Sequence, residues 1–451
     1  MDADRIIESI SQAIWGYPVL ILMLGGGIYL TLKLKFPQLH FKSNLKNARQ
    51  SLCHKDGKSD SLTQRQGIAT ALAATVGTGS ITGVGTAIAI GGAGAIFWMW
   101  VSAFFGMALS YAENVLGVEY CQKTGIAGAM AYMEKGLHSK WLAVLFALFC
   151  ALASLGMGNM SQSNSIAAAC ESQFNIPPKI CGAIITLIIT FIMLGKKRAA
   201  KCTEKLVPIM ALLYILGSLA VIIRFHSRLG NAFCEIFSSA FGLKAAAGGG
   251  IGFAVKQAVV TGLRRGVFSN EAGLGSTVAI HSSCQMKSPE IQGCWGMIEV
   301  FIDTMVICTL TALVLLVSGT DIKDGGSDII CNAFSNGLGS IGGIFIAISV
   351  ILFAFATIIG WFFIGERAWH YIFPQSSFFY KWLFALCVFI GSFASLETVW
   401  GISDIFNGLM ALPNLTAVLM LYAKRQHSTN VVKSNINVGS DKSKVHLYQP
   451  D

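Results

Sequence analysis

An apolar segment of this chain carries a high density of glycine and hydroxyl residues, which loosen helices and bind ions. The segment is LAATVGTGSITGVGTAIAIGG, residues 72–92, and residues 76–85 within it hold four glycines and three hydroxyl side chains. A glycine inside a helix costs about 0.5–1 kcal/mol relative to alanine, so the helix is predicted to open here. An opened helix exposes N–H groups to an anion and carbonyl oxygens to a cation, which is the chemistry of a binding site.

The same glycines have a purely structural interpretation. Gly79 and Gly83 are four residues apart, which is the spacing that lets two membrane helices approach closely. A single contact face needs fewer glycines and hydroxyls than this segment carries, so we favour the opened helix. A dinucleotide-binding loop is a poor alternative, because GTGSITG follows no soluble strand.

A second group of candidates lies where polar or bulky side chains interrupt apolar runs. Gln162 and Asn164 lie in NMSQSNS, and a side-chain amide inside an apolar helix needs a hydrogen-bond partner. We predict that Gln162 lines a binding site and that Asn164 bonds a neighbouring helix. Trp361 follows Thr357 by four residues, so both lie on one helical face. Trp361 would close the apolar side of a small ligand, with simple packing as the alternative.

The composition indicates which kind of protein positions these residues. Of 451 residues, 54% are hydrophobic and 12% are charged, and the mean hydropathy is +0.62. That is more apolar surface than a soluble fold buries. The apolar runs are long enough to span a bilayer as helices, so an all-α polytopic membrane protein is predicted. No P-loop lysine motif, HExxH motif or nucleophile elbow occurs, so transport is favoured over catalysis and no enzyme activity is expected.

Hydropathy and loop charge together predict about eleven membrane helices. Their predicted limits are 15–35, 66–90, 95–120, 141–170, 179–195, 205–224, a region within 233–266, 293–318, 340–372, 379–396 and 398–423. Residues 1–14 precede the first helix, residues 36–65 form a basic loop, and residues 425–451 form a polar tail.

The basic residues predict how the chain is oriented in the membrane. The loop at 36–65 is placed in the cytoplasm, which puts residues 1–14 outside and the tail inside. The same rule places Arg264 and Arg265 at a cytoplasmic helix exit. The net charge of +10 follows from these loops, and no nucleic-acid partner is expected because the basic residues are not gathered on one helix.

The chain resembles the alanine or glycine:cation symporters, often called sodium:alanine symporters, from about residue 15 to 424. Four stretches carry the resemblance: GTGSITGVGTAIAIGGAGAIFWMWVSAFFGMALSYAENVLGVEY (77–120), GMGNMSQSNSIA (156–167), GLRRGVFSNEAGLGS (262–276) and FATIIGWFFIGER (355–367). The resemblance implies a LeuT-type fold, in which ten core helices form two inverted five-helix repeats after one extra N-terminal helix. The extra helix is then 15–35, and the repeats are 66–232 and 233–424.

The first core helix also resembles the broken helix of neurotransmitter:sodium symporters. Their A-V-G-x-G-N motif corresponds to the stretch from Thr75 to Ser80, which reads TVGTGS. The resemblance implies that backbone amides of this helix receive the carboxylate of an amino acid. The implied substrate-facing residues are Ala74, Thr75, Thr78 and Gly79, with Gln162 and Trp361 completing the pocket.

A sodium site is implied beside the substrate. Its ligands would be the carbonyls of Ala73 and Val76 and the hydroxyl of Thr357, with Ser80 as a further oxygen donor. A hard cation favours such oxygen ligands, although back-bonding of Thr357 to its own helix is the alternative. The chain departs from the usual patterns at Ser80, where asparagine is usual, and at Ala356, where serine is usual, so the coupling ion stays open between sodium and protons.

The break in the sixth core helix has two candidates. One is AAAGGGIGF (245–253), and the other is NEAGLGS (270–276), whose G-x-G-S echoes the first repeat. Loop charge favours the first candidate, with Arg264 and Arg265 at the exit. Asn270 and Glu271 are then interpreted as a cytoplasmic gate or a structural motif.

Import of alanine or glycine with sodium by alternating access is the function that the resemblance implies, in the cell inner membrane. The expected partners are a small amino acid, Na⁺ and the lipid bilayer, with no cofactor besides the coupling ion. Glu113 and Asp303 lie within predicted spans, where a charge is costly unless it is paired or functional. We favour structural pairing for Glu113. A proton-coupled transporter, or a non-coupled channel or sensor on the same scaffold, is the alternative.

Overall fold

The computed structural model describes residues 3–52, 62–242, 251–284, 288–321 and 327–425. Within these ranges every named element is a helix, which confirms the predicted all-α class. The first ten helices are α1 (Ala3–Ile14), α2 (Tyr17–Lys33), α3 (Phe41–Ser51), α4 (Gln64–Thr75), α5 (Thr82–Gly91), α6 (Gly94–Thr124), α7 (Lys140–Phe174), α8 (Pro178–Met193), α9 (Lys196–Arg224) and α10 (Leu229–Ala240).

The remaining seven helices of the described part are α11 (Ile251–Asn270), α12 (Val278–His281), α13 (Pro289–Ser318), α14 (Ser327–Leu338), α15 (Ile341–Ile372), α16 (Ser377–Gly391) and α17 (Leu396–Lys424). The predicted polar tail lies outside the described residues from 426 onward, as does the middle of the basic loop, 53–61. The described part of that loop contains α3.

Seven helices of the described part are long and apolar enough to cross a membrane, and three shorter apolar helices accompany them. The long ones include α6, α7, α9, α13 and α15, with mean hydropathies of 1.5 to 2.6. Large apolar side chains on outer helices are exposed, such as Leu187 on α8 and Ile209 on α9. A chain with such surfaces is a multi-pass integral membrane protein, since only lipid covers them favourably.

The first core helix opens where the glycine cluster predicts. Its first part, α4, starts with a capping box in which the Thr63 hydroxyl accepts from the Gln66 N–H and the Gln66 amide oxygen accepts from the Thr63 N–H. The helix stops at Thr75, Gly77 is extended, and a short 3₁₀ turn precedes α5. The segment is buried in protein, which is the condition for irregular backbone inside a bilayer.

The described part of the chain breaks in NEAGLGS, the second candidate. Of the preferred candidate at 245–253, residues 245–250 lie outside the described part. The chain is helical from 251 to Asn270, and residues 243–250 lie outside the described part. Left-handed backbone at Glu271, Gly273 and Gly275 separates α11 from α12. Gly273 and Gly275 adopt this conformation without the cost that a side chain adds.

Arg264 and Arg265 lie inside α11 rather than after it, so the charge pattern does not locate the break. Arg264 also donates to Ser11 in α1, at 2.6 Å. Residues near 11 and residues near 264 therefore lie at the same side of the bundle. The prediction that residues 1–14 are outside and Arg264 is at a cytoplasmic exit is wrong.

Close packing between α11 and α6 holds the second break in position. A Cβ at Gly262 would overlap the carbonyl of Ala95, and one at Gly266 would lie 3.0 Å from Ser102. The four-residue spacing of these glycines is the small-residue pattern that lets membrane helices approach. The glycine pair thus positions the end of α11 against the centre of the bundle.

Candidate functional site

The two helix breaks meet at the centre of the bundle. The hydroxyl of Ser80 at the first break lies 3.2 Å from that of Ser269, at the end of α11. The Phe268 ring covers Gly79, and a Cβ on that glycine would lie 3.5 Å from the ring. Groups from positions 189 residues apart in the chain therefore share one buried place.

Gln162 contacts the first break. Its amide oxygen accepts from the Thr78 hydroxyl at 3.0 Å and from the Thr78 N–H at 3.4 Å. The Gln162 amide nitrogen donates to the Met157 carbonyl at 3.1 Å. That carbonyl lies in a π-helical turn of α7, Gly156–Met160, where the regular bonding pattern is interrupted. The Gln162 amide oxygen thus already accepts from the Thr78 N–H, one of the backbone amides that the resemblance assigns to the substrate carboxylate.

Thr357 joins α15 to the first break. Its hydroxyl donates to the Ala73 carbonyl at 2.9 Å and to the Phe353 carbonyl of its own helix at 3.0 Å. Both interpretations of this residue, the site ligand and the back-bond, are therefore compatible with its geometry. Gly360 brings the two helices together, because a Cβ there would lie 2.6 Å from the Ala74 nitrogen.

The other residues predicted for these sites have various surroundings. Val76 ends α4, and its N–H donates to the Leu72 carbonyl at 2.8 Å. The Thr75 hydroxyl is back-bonded within α4, to Leu72 and to Ala71, both at 3.3 Å. Asn164 donates to the Gly391 carbonyl at 3.0 Å and to that of Ala394 at 2.8 Å, so it forms the predicted bond between helices.

Ser80 forms a hydrogen bond with Asp303 and not, as predicted for a shared sodium site, a contact with Thr357. Its hydroxyl donates to the Asp303 carboxylate, and Ser269 and Thr304 donate to the same carboxylate at 2.7 and 3.0 Å. The Ser80 carbonyl accepts from Thr311 at 2.8 Å. The predicted ligands thus separate into two places, one at Ala73 and Thr357 and one at Ser80.

Glu271, which the sequence predicted to belong to a cytoplasmic gate or a structural motif, lies near the centre of the bundle. Its carboxylate accepts from the Trp361 indole at 2.9 Å and from the Ser276 hydroxyl at 2.5 Å. Trp361 is fully buried and packs on Gly158, where a Cβ would overlap the ring. The tryptophan therefore orients a carboxylate of the second break, in addition to filling space.

Glu113 shows the structural pairing that we favoured. It accepts from the backbone N–H groups of Gly273 at 3.4 Å and Gly275 at 3.1 Å, and from the Asn414 amide at 2.8 Å. The Glu113 carboxylate thus satisfies backbone N–H groups that the break leaves without helical partners. Glu113 on α6 therefore stabilises the irregular segment between α11 and α12.

Three buried carboxylates surround the second break: Glu113, Glu271 and Asp303. In the described part of the chain none of them forms a salt bridge, and their hydrogen-bond donors are all neutral groups. A buried carboxylate is costly unless a charge or a proton compensates it. In the sequence, these carboxylates could be recognised as acidic residues within apolar segments.

Comparison with known proteins places the whole chain in one class. The model of the sodium:alanine symporter family matches residues 1–445. The sodium/alanine symporter AgcS of Methanococcus maripaludis is 41% identical over 93% of this chain and 95% of its own length. A probable sodium/glutamine symporter of Bacillus subtilis, GlnT, is 36% identical over 93% of this chain and 88% of its own.

The solved structures that resemble the chain are transporters. MhsT in complex with L-phenylalanine has a TM-score of 0.60 at 15% identity, covering 80% of this chain and 89% of MhsT. A manganese transporter of Eremococcus coleocola has a TM-score of 0.54 at 14% identity, with 81% and 78% covered. The predicted LeuT-type fold is thereby confirmed. The chain, a membrane transporter that couples amino-acid movement to sodium, belongs to the sodium:alanine symporter family.

Proposed function

We propose that this symporter imports alanine or glycine together with sodium by alternating access. The observation that carries the proposal is the meeting of two broken helices at the bundle centre. Each break supplies a helix end, with its partial charge and with backbone groups outside the helical bonding pattern, to one buried place. The similarity to a sodium/alanine symporter supports alanine as the substrate.

The substrate carboxylate is proposed to bind the Thr78 N–H and hydroxyl. Gln162 supplies the acceptor oxygen at these two donors in the present structure. An entering carboxylate would replace that oxygen, because a charged acceptor makes the stronger hydrogen bond. The freed amide of Gln162 would then turn its N–H groups toward the carboxylate. Ala74, Thr75 and Gly79 contribute backbone atoms around the same position.

The size of the substrate is proposed to be limited by two aromatic rings. Phe268 covers Gly79, and Trp361 lies against Gly158. Both rings are almost fully buried, at 2% and 0% exposure. Rigid walls of this kind favour a side chain of hydrogen or methyl, as in glycine and alanine, over a longer side chain such as that of glutamine.

Sodium is proposed to bind between α4 and α15. The ligands would be the carbonyls of Ala73 and Val76 and the hydroxyl of Thr357, which already touches the Ala73 carbonyl. Hard cations favour such oxygen ligands. A cation there would tie the first break to α15, and Gly360 allows the close approach that this requires.

Proton coupling is a second candidate, and Asp303 favours it. Its buried carboxylate is held by Ser80, Ser269 and Thr304, which are neutral donors. A second sodium ion or a proton would compensate the charge, and Ser80 would contribute an oxygen ligand in the first case. The named relatives include a putative sodium/proton-dependent alanine carrier of Bacillus subtilis.

The orientation is proposed as N-terminus outside and C-terminus cytoplasmic, in the cell inner membrane. The basic residues before α4 carry this proposal. Since Arg264 contacts Ser11, the first part of α11 is then on the outer side. The inward path would open near the start of α4 and the end of α12.

Uptake of labelled alanine into proteoliposomes tests the proposal. Gradients of sodium, potassium and protons are imposed separately, and unlabelled glycine and glutamine compete. Accumulation with inward sodium and competition by glycine are expected. Accumulation with a proton gradient alone would refute sodium coupling, and stronger competition by glutamine than by glycine would refute the proposed substrate size.

A further inference from the structure

The chain turns back against the bundle after α2, and the short polar helix α3 follows. A 3₁₀ turn, Pro37–His40, connects Lys33 at the end of α2 to α3. In that turn the Gln38 amide donates to the Thr31 hydroxyl at 2.8 Å and to the Phe104 carbonyl of α6 at 2.9 Å. α3 has 11 residues and a length of about 16 Å, which is too short to cross a bilayer. It therefore lies beside a membrane helix without spanning the membrane itself.

One face of α3 is packed against the first part of α13. Ala48 and Ser51 are buried, and the Trp295 indole donates to the Ser51 hydroxyl at 3.1 Å. The ring centres of Phe41 and Phe301 are 4.6 Å apart. These contacts fix the rotation of α3 about its own axis, so the direction of its remaining side chains is defined as well.

The exposed side of α3 carries three cations, Lys42, Lys46 and Arg49, which we call the basic face. They lie within about 60° of one another around the helix, because the second and third follow the first by four and seven residues. Residues 33–52 contain no aspartate or glutamate. In the described part of the chain no acidic side chain forms an ion pair with any of the three. Like charges at this spacing repel one another, so an anion from outside the chain would stabilise the arrangement.

Apolar side chains border the basic face. Leu45 is one helical turn before Arg49 and is 43% exposed, and Leu39 in the preceding 3₁₀ turn is 72% exposed. The orientation of a chain in a membrane depends on positive charge in a loop, but it requires neither a single helical face nor exposed leucines beside it. Cations next to exposed apolar side chains are typical of a helix that lies in the headgroup region of a bilayer.

We propose that the basic face binds the phosphate of an anionic phospholipid, and that Leu39 and Leu45 contact its acyl chains. Lysine and arginine donate strong, charge-assisted hydrogen bonds to phosphate oxygens. A lipid fits better than an acidic protein, because α3 begins shortly after the end of a membrane helix and presents leucines together with its cations. The inference does not depend on the proposed function, since it concerns neither the transported amino acid nor the coupling ion.

Titration of the full chain in a neutral detergent with dioleoyl phosphatidylglycerol tests the inference, with bound lipid counted by native mass spectrometry. Dioleoyl phosphatidylcholine has the same acyl chains without the net charge, and it should bind weakly. A triple variant, Lys42→Gln, Lys46→Gln and Arg49→Gln, removes the basic face. It should bind phosphatidylglycerol about a hundredfold more weakly, at roughly fivefold for each basic residue near a membrane surface.

A matched control variant separates the basic face from overall charge. Lys140→Gln, Lys179→Gln and Lys424→Gln together remove the same charge from exposed positions on three different helices. Phosphatidylglycerol binding by this variant should match the wild type. An equal loss in both triple variants would show that overall charge attracts the lipid, and it would overturn the proposed surface.

The apolar part of the surface has its own test. Leu39→Ser with Leu45→Ser should weaken phosphatidylglycerol binding, because the acyl chains lose their contacts, and glycerol phosphate should not compete with the lipid. Competition by glycerol phosphate, or unchanged binding in the leucine variant, would make free phosphate the ligand and overturn the lipid assignment.

The remaining outcomes are decided by charge. Equal binding of phosphatidylglycerol and phosphatidylcholine, or unchanged binding in the folded triple variant of the basic face, would overturn the inference. If that variant does not fold, the wild type alone supplies the test. Raising the salt from about 0.1 M to about 1 M shortens the Debye length from about 10 Å to about 3 Å, so phosphatidylglycerol binding should fall steeply. Binding that salt leaves unchanged would refute the role of the three cations.

Discussion

Thr357→Val is the most direct test of the sodium site. Valine has nearly the shape of threonine but lacks the hydroxyl that donates to the Ala73 and Phe353 carbonyls. If this oxygen binds the ion, the variant loses an interaction with a charged group, worth about 1.5–3 kcal/mol. Because 1.4 kcal/mol is a factor of ten, the half-saturating sodium concentration should rise by about tenfold to about a hundredfold.

The assay is the sodium dependence of alanine uptake in proteoliposomes, together with the thermal stabilisation that sodium confers on purified protein. Thr416→Val is the matched control, since Thr416 makes the same kind of back-bond, to Leu412 at 2.8 Å, on an exposed face of α17. Its sodium dependence should match the wild type. An unchanged sodium dependence in Thr357→Val would refute the site between α4 and α15.

Three more variants and one control variant test the central site and the helix packing. Thr78→Val should raise the alanine KM by about tenfold without reducing membrane insertion, because one of two donors to the carboxylate is lost; an unchanged KM would remove Thr78 from the site. Asp303→Asn should lower the number of cations moved per alanine by one, measured as a reversal potential, and an unchanged ratio would make Asp303 structural. Gly262→Leu should abolish folded protein in size-exclusion profiles because its Cβ would overlap the Ala95 carbonyl, whereas Gly252→Leu should be tolerated since a Cβ there meets open space.

The first helix break could be predicted because its causes are local. Four glycines within residues 76–85 weaken the helix wherever it lies, and their burial follows from the apolar flanks. The sequence also indicated that Gln162 needs a hydrogen-bond partner, since a side-chain amide in an apolar helix must find one. That this partner is Thr78 came from the structure.

The second break required tertiary information. Arg264 and Arg265 were expected at the end of a membrane helix, because charges are costly inside a membrane. In the folded chain Arg264 is paired with Asp404, a residue 140 positions away, and Arg265 stacks on Trp400. Such contacts compensate the cost of the charge, and no local pattern contains them.

The sequence by itself determined the class of protein, the approximate helices and the opened first helix. These properties depend on hydropathy and on backbone preferences within about twenty residues. The tertiary structure decided where Ser80 belongs, beside Asp303 rather than Thr357, and it brought Glu271 to the centre. The reason is physical: a side-chain oxygen binds whatever the packing of distant helices brings within about 3 Å, and that packing is a property of the whole bundle.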